Sequence, residues 1–430
     1  MKIRKLLTTA SIIAMSALVL SACSSNSNKA NSTKIPTKID KKTTVVFWHG
    51  MHGKQLATLE DMTKDFEKKN PNINVKLESQ GSYIDLQGKI NATLQSPKNL
   101  PTITQAYPGW LYQASQNKML VNLKPYMTNT SIGWGDKNNE IKPALLKGAQ
   151  IDGVQYGIPF NKSIDVLVYN KDLFKKYGIK KVPTNMTELA KVSKTIYEKS
   201  NHKVVGAGFD SLANYYVLNM KDKGVNFNKD INFSGSKSKA VINAYANGMK
   251  DGYFRIAGSE HYLSGPFANQ DVAMFIGTSA GESYVKLGTQ GKFNYGVAPY
   301  PGKYTMQQGT DIYMFNQASA MQKAAAFKYV KYLTGKDNQI KWAKATGYLP
   351  VNVKALASKE YQDSSETKLP KIIDKATANV YSVPAAKNSN AAYNALNPIL
   401  QNILIAAQKH HNVNTQINQG KQKFDAAWKQ

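Results

Sequence analysis

Between Thr44 and Ala106 two hydrophobic periods alternate, and that alternation leaves few folds open. Thr44–Trp48 (TVVFW) is a β-branched and aromatic run of the kind found in buried strands. Lys54–Lys69 then places apolar residues at Leu56, Leu59, Met62 and Phe66, a helical spacing that ends before Asn70-Pro71. Ile73–Leu77 (INVKL) alternates as a second strand, Tyr83–Leu94 returns to helical spacing, and Thr102–Ala106 is strand-like. Strand, helix, strand, helix, strand is the order of an α/β sheet with helices on its faces.

Gly157–Tyr169 (GIPFNKSIDVLVY) opens a second region of the same type. Asn170–Tyr177 reads as a helix, and Pro183-Thr184-Asn185 begins another, with Thr184 or Asn185 as its N-cap. Asn269–Ile276 and Phe293–Ala298 are expected strands, and Gly309–Phe315 leads into a helix over Gln322–Leu333. Lys336-Asp337-Asn338 reads as a turn. A chain of 430 residues with 42% apolar content can fill more than one core, so two or three domains, or two large lobes, are expected and bulk disorder is not.

Composition removes several function classes. One cysteine excludes a disulfide framework and a Cys-based zinc site, and six histidines make dense metal chemistry improbable. His49 and His52 have no acidic partner in their segment, so no metal and no cofactor is expected. The formal charge of +28 is carried almost wholly by lysine, because Arg4 and Arg255 are the only arginines. Nucleic-acid readers draw on arginine for bidentate contacts, so this charge reads instead as solvation or attraction to an anionic envelope. No HExxH, Walker or GxGxxG motif marks an enzyme.

The amino terminus reads as an address. Met1–Lys5 carries three positive charges and Leu6–Leu20 carries none. Leu20-Ser21-Ala22-Cys23 resembles a bacterial lipobox, which implies a signal peptide over 1–22 and lipid attachment at Cys23. The polar stretch that completes 23–43 reads as a flexible tether. A lipid-anchored body outside the cytoplasmic membrane is expected.

Farther along, an ordered set of stretches resembles family 1 extracellular solute-binding proteins of bacterial ABC importers. The stretches are Phe47–Met51 (FWHGM), Phe66–Asn72 (FEKKNPN), Ile158–Phe174 (IPFNKSIDVLVYNKDLF), Lys292–Pro301 (KFNYGVAPYP), Ala326–Thr334 (AFKYVKYLT) and Thr346–Pro350 (TGYLP). FWHGM and KFNYGV…GYLP look most like the glycerol-3-phosphate-binding subgroup. The resemblance implies an α/β, two-lobe periplasmic-binding-protein-like fold with a three-segment hinge. By the same resemblance, the chain crosses between lobes near Pro159–Asp165, Pro301–Gly309 and Thr346–Pro350. Lobe 1 is then 44–160 with 305–346, and lobe 2 is 161–304 with 347–430.

Sugars present apolar C–H faces rimmed by hydroxyls, so their sites combine flat aromatic rings with planar polar partners. Trp48 and His49, Tyr83, and Tyr107 with Trp110 follow the first, second and third expected strands in turn. The resemblance adds Ser163, Ser279, Gly309 and Tyr348 to Tyr83 as ligand-holding positions. Phe209 and Asp210, near Asn214-Tyr215-Tyr216, look like the second lobe's aromatic contribution, and Asp165 and Asp311 are further candidate acceptors. Each of these aspartates has ordinary capping and turn roles as its alternative.

Two departures bear on the ligand. The subgroup's glutamate after the third strand aligns with Pro108, and its phosphate-clamping arginine aligns near Tyr393-Asn394. Losing both favours a neutral carbohydrate over glycerol 3-phosphate or a glycerophosphodiester. The expected function is capture of a carbohydrate in the inter-lobe cleft and its delivery to ABC permease subunits, by a monomer without enzymatic activity. A cell-wall-polymer adhesin and a glycan hydrolase are the rivals from other classes.

Overall fold

The computed structural model describes residues 35–135 and 140–430. Labels below follow chain order, and the shorter helices and one two-residue hairpin are left unlabelled. The first region is β1 (Thr43–His49), α1 (Gly53–Lys69), β2 (Ile73–Ser79), α2 (Tyr83–Thr93) and β3 (Ile103–Ala106). β1 pairs in parallel with both β2 and β3, the outcome when helices cover consecutive strands. Leu59, Met62 and Phe66 of α1 are buried with Val45, Phe47 and Ile103 in one apolar core, so the helical spacing becomes the packed face.

β4 (Gly157–Asn170) is the long strand expected from its apolar run. Asn170 caps α3 (Lys171–Tyr177) by accepting from the Asp172 and Leu173 N–H groups. Asn185 caps α4 (Met186–Lys199), while Thr184 instead donates to Glu188. Then come β5 (Val205–Phe209), α5 (Leu212–Asp222), α6 (Ser236–Lys250), β6 (Phe254–Ile256), β7 (Val272–Thr278) and β8 (Tyr295–Pro299). β7 starts later than expected because Gln270, at φ 65, turns the chain first. The last elements are β9 (Thr305–Met314), α7 (Ala320–Leu333), α8 (Lys336–Thr346), β10 (Val380–Tyr381), α9 (Ser389–Gln408) and α10 (Val413–Ala427). Lys336-Asp337-Asn338 is therefore the first turn of α8, not a loop. Gly335 stands before it, and Asn338 Nδ2 donates to the Tyr332 carbonyl.

Strand order is β2-β1-β3-β9-β4-β7-β5-β6, with β8 on β4 and β10 on β9. β4 and β9 lie antiparallel at the middle of this order. The amino-terminal part of β4 faces β9, while its carboxyl part, from Asp165, faces β7 and β8. A second apolar core gathers Phe209, Tyr215, Tyr245 and Met274 with Leu396, Ile403 and Phe424, so α9 and α10 belong to the β5–β7 half. The result is a mixed α/β, two-lobe fold with β4 and β9 at its centre.

Candidate functional site

A cavity of about 530 Å³ lies over the central strands, within the several-hundred-Å³ range of small-molecule sites. Its lining comes from the starts of α2 and α9, the loop after β3, and Lys162 and Met306–Gly309 of the central strands. The Ser82 hydroxyl accepts from the Asp85 N–H (3.2 Å) and the Asp85 carboxylate accepts from the Ser82 N–H (2.9 Å). That reciprocal cap starts α2 at Tyr83 and holds its ring on the cavity wall. After β3, Pro108 opens a single 3₁₀ turn that carries Trp110. The rings meet at 5.2 Å (Tyr107–Trp110), 6.0 Å (Tyr83–Tyr107) and 6.1 Å (Tyr83–Trp110), with Tyr83 edge-on to both.

A polar layer fixes this wall to the central strands. The Gly309 N–H donates to the Tyr107 hydroxyl (3.2 Å), and Asn161 Nδ2 donates to the Tyr83 hydroxyl (2.9 Å). Gln105 Nε2 donates to Asn161 Oδ1 (3.1 Å) and Thr310 Oγ1 (3.0 Å), and the Thr310 hydroxyl donates to Asn161 Oδ1 (2.7 Å). Glycine is required at 309, where φ is +78° and a Cβ would stand 1.9 Å from the Asn161 carbonyl oxygen.

Charge at the site is scarce and paired. The Lys162 Nζ lies 2.7 Å from Asp311 Oδ1, with both side chains almost wholly buried, and donates to the Gly309 carbonyl at 3.0 Å. Burial pushes the Asp311 carboxyl above its usual range, while Lys162 and Tyr313 pull it back. Asp165 is pushed up to about 7 by burial, against hydrogen bonds from Gln308 and Asn214. The Tyr393 hydroxyl in turn donates to Asn214 Oδ1, so Asp165 supports two cavity-lining side chains, Gln308 and Tyr393. Asp210 also rises to about 7, chiefly through burial, and accepts the Leu263 N–H at 2.8 Å.

The residues singled out from sequence divide into groups. Tyr83, Tyr107, Trp110 and Gly309 come together on the wall. Tyr348 is buried behind them, its hydroxyl 3.5 Å from that of Tyr83 and its ring stacked on Trp342. Ser163 and Ser279 do not line the cavity. Ser163 accepts from the Thr278 hydroxyl (2.8 Å) and Ser279 from the Ile164 N–H (3.4 Å), which knits β4 to the end of β7. Trp48 belongs to β1 rather than the loop after it, and its indole N–H is taken by Glu78 at 2.8 Å. His49 is buried, which lowers its pKa to about 4. Phe209 is a core residue packed on Tyr215 and Tyr245 because its strand position points inward, and Asp210 stands outside the cavity lining. Cys23 lies outside the described residues.

Several lining residues were not anticipated: Lys162, Gln87, Gln307, Gln308, Asn390 and Asn397. Asn390, Asn394 and Asn397 recur at helical spacing, a signal that was legible in the sequence.

A family model described as bacterial extracellular solute-binding protein matches residues 61–370. The chain belongs to this family of bacterial extracellular solute-binding proteins. Its members are the binding components of ABC importers and not enzymes, and they work outside the cytoplasm with small-molecule ligands. Among curated relatives, the sn-glycerol-3-phosphate-binding periplasmic protein UgpB of Brucella melitensis is 25% identical over 76% of this chain and 78% of its own. UgpB of Mycobacterium tuberculosis in complex with glycerophosphocholine superposes with a TM-score of 0.77 at 17% identity, covering 90% of this chain and 98% of that one. An ABC substrate-binding protein from Listeria monocytogenes in complex with cycloalternan gives a TM-score of 0.76 at 17% identity, covering 90% and 99%. These likenesses fix the fold of this solute-binding protein, and its ligand must be argued from the cavity.

Proposed function

We propose that this solute-binding protein captures a neutral carbohydrate in the cavity and delivers it to the permease of an ABC importer. One observation carries the choice of ligand: among the described residues, the only charged side chain lining the cavity, Lys162, is already neutralised by Asp311. The remaining polar lining is amide and hydroxyl, Gln87, Gln307, Gln308, Asn390, Asn394 and Ser389 among it, beside the rings of Tyr83, Tyr107, Trp110 and Tyr393. Rings take the apolar faces of a sugar, and amides both donate to and accept from its hydroxyls. Residues 83–110 and 382–397 both contribute to the cavity lining and fall in different lobes in this reading, so capture proceeds by closure of lobe 1 (44–160 with 305–346) on lobe 2 (161–304 with 347–430). Cys23 supplies the lipid anchor in this reading.

The relatives named for sn-glycerol 3-phosphate favour a second reading, a glycerophosphodiester. Against it, the resemblance sets Tyr393-Asn394 where the subgroup has its phosphate-clamping arginine and Pro108 where it has its ligand-holding glutamate, and both positions line the cavity. Thermal-shift titration of the purified protein with maltose, mannobiose and glycerophosphocholine tests the choice. Occupancy at a hundredfold excess over Kd stabilises by about 2.7 kcal/mol, a visible shift. A shift with a sugar alone supports the carbohydrate reading, and a shift with glycerophosphocholine alone overturns it.

A further inference from the structure

Among the described residues, Lys162 is the only lysine that is fully buried. A buried ammonium must be paired and hydrogen-bonded, and it has three N–H groups to satisfy. Asp311 Oδ1 pairs with it at 2.7 Å and the Gly309 carbonyl accepts one N–H at 3.0 Å. Gly309 and Lys162 both line the cavity, and the Gly309 N–H holds the Tyr107 hydroxyl of its aromatic wall. Lys162 therefore belongs to the cavity lining, with two protein partners for its three N–H donors.

We propose that Lys162 is a ligand-contacting, specificity-determining residue, whose third N–H donates to an acceptor oxygen of the bound solute while Asp311 cancels its charge. A solute rich in neutral oxygens gains a strong charge-assisted bond there, whereas an anion meets a site of no net charge. The same lysine joins three chain segments. Its backbone carbonyl accepts the Leu349 N–H at 2.7 Å, and its side chain grips Gly309 and Asp311 of β9. A solute bound to Lys162 thus bears on the place where β4, β9 and the segment after α8 meet.

The inference rests on the cavity being the solute site, and its test separates the two. The Asp311→Asn variant leaves Lys162 as an uncompensated cation, so inorganic phosphate is the probe. Thermal shift should report phosphate binding at least about tenfold tighter in D311N than in the wild type, and the gain should vanish in K162M/D311N. Equal phosphate response in D311N and wild type, or a gain that survives loss of the lysine, overturns the proposal. This arm reads Lys162 whatever the natural solute is, so it stands even if no sugar binds.

Where D311N does not fold, the double variant K162M/D311L decides, since an apolar pair of similar volume replaces a buried ion pair without an orphaned charge. Its affinity for whichever of maltose, mannobiose or glycerophosphocholine the wild type binds should fall at least about tenfold. Wild-type affinity in that variant refutes the contact.

Discussion

Gly309 lies where the cavity, the aromatic wall and the central strands meet, and replacing it with alanine separates two physical costs. Its φ of +78° is one that an L side chain adopts at about 1–2 kcal/mol. The new Cβ would also stand 1.9 Å from the Asn161 carbonyl oxygen, a backbone atom paired across β4 and β9 that cannot swing aside. Relieving such overlap by strand displacement adds about 1–3 kcal/mol. Gly153 is the matched control, with φ +77° and nothing within 4 Å of where a Cβ would stand. Urea unfolding should show Gly153→Ala destabilised by about 1–2 kcal/mol and Gly309→Ala by about 2–5 kcal/mol. Because Asn161 also holds the Tyr83 hydroxyl and Gly309 the Tyr107 hydroxyl, G309A should lose ligand binding even where it remains folded. G153A should bind as the wild type does. Equal destabilisation in the two variants would refute the close-approach argument.

Three further outcomes follow from the site. Trp110→Ala should weaken sugar binding about tenfold by calorimetry with little change in urea midpoint, whereas Phe209→Ala should lower stability by about 3–5 kcal/mol because its ring fills the second core. The reverse pattern would exchange their roles. Asp165 has its folded pKa raised to about 7, so the native state binds its proton more tightly than the unfolded chain, and its contribution to stability is lost as pH rises from about 4 to about 7. Asp165→Asn should therefore gain stability relative to wild type across that window, and a constant difference with pH would contradict the assignment. Tyr83→Phe removes the hydroxyl that accepts from Asn161, so it should cost about 1 kcal/mol in thermal unfolding while keeping the ring of the wall, and no change would mean that bond contributes nothing.

Local chemistry made much of this protein legible in its amino-acid order. The apolar run at 157–169, the helical spacing at 54–69 and the asparagine caps at 170 and 185 act within a few residues, so they read directly. So did the wall residues Tyr83, Tyr107 and Trp110, because a ring just after a strand and beside glycine or proline has few other places to go. Lys336-Asp337-Asn338 misled for the same reason in reverse. Polar residues after a glycine suit a turn as well as a helix start, and only the packing of Ile340, Trp342 and Ala343 selects the helix.

Side-chain direction at strand ends was not legible. Phe209 and Trp48 resemble wall aromatics in sequence, but the pleat turns them into the protein. Ser163 and Ser279 found each other's segments rather than the cavity. Lys162 shows the limit most plainly. In sequence it is one lysine among many in a chain of +28, and its partner Asp311 is far along the chain. Sequence alone determined which segments become strands and helices, and which aromatic residues stand at their ends, because those choices depend on neighbours in the chain. The tertiary structure alone decided which charge is buried, which is cancelled and which polar groups face the cavity, because the antiparallel register of β4 and β9 brings Lys162 to Gly309 and Asp311, and electrostatic pairing depends on distance in space.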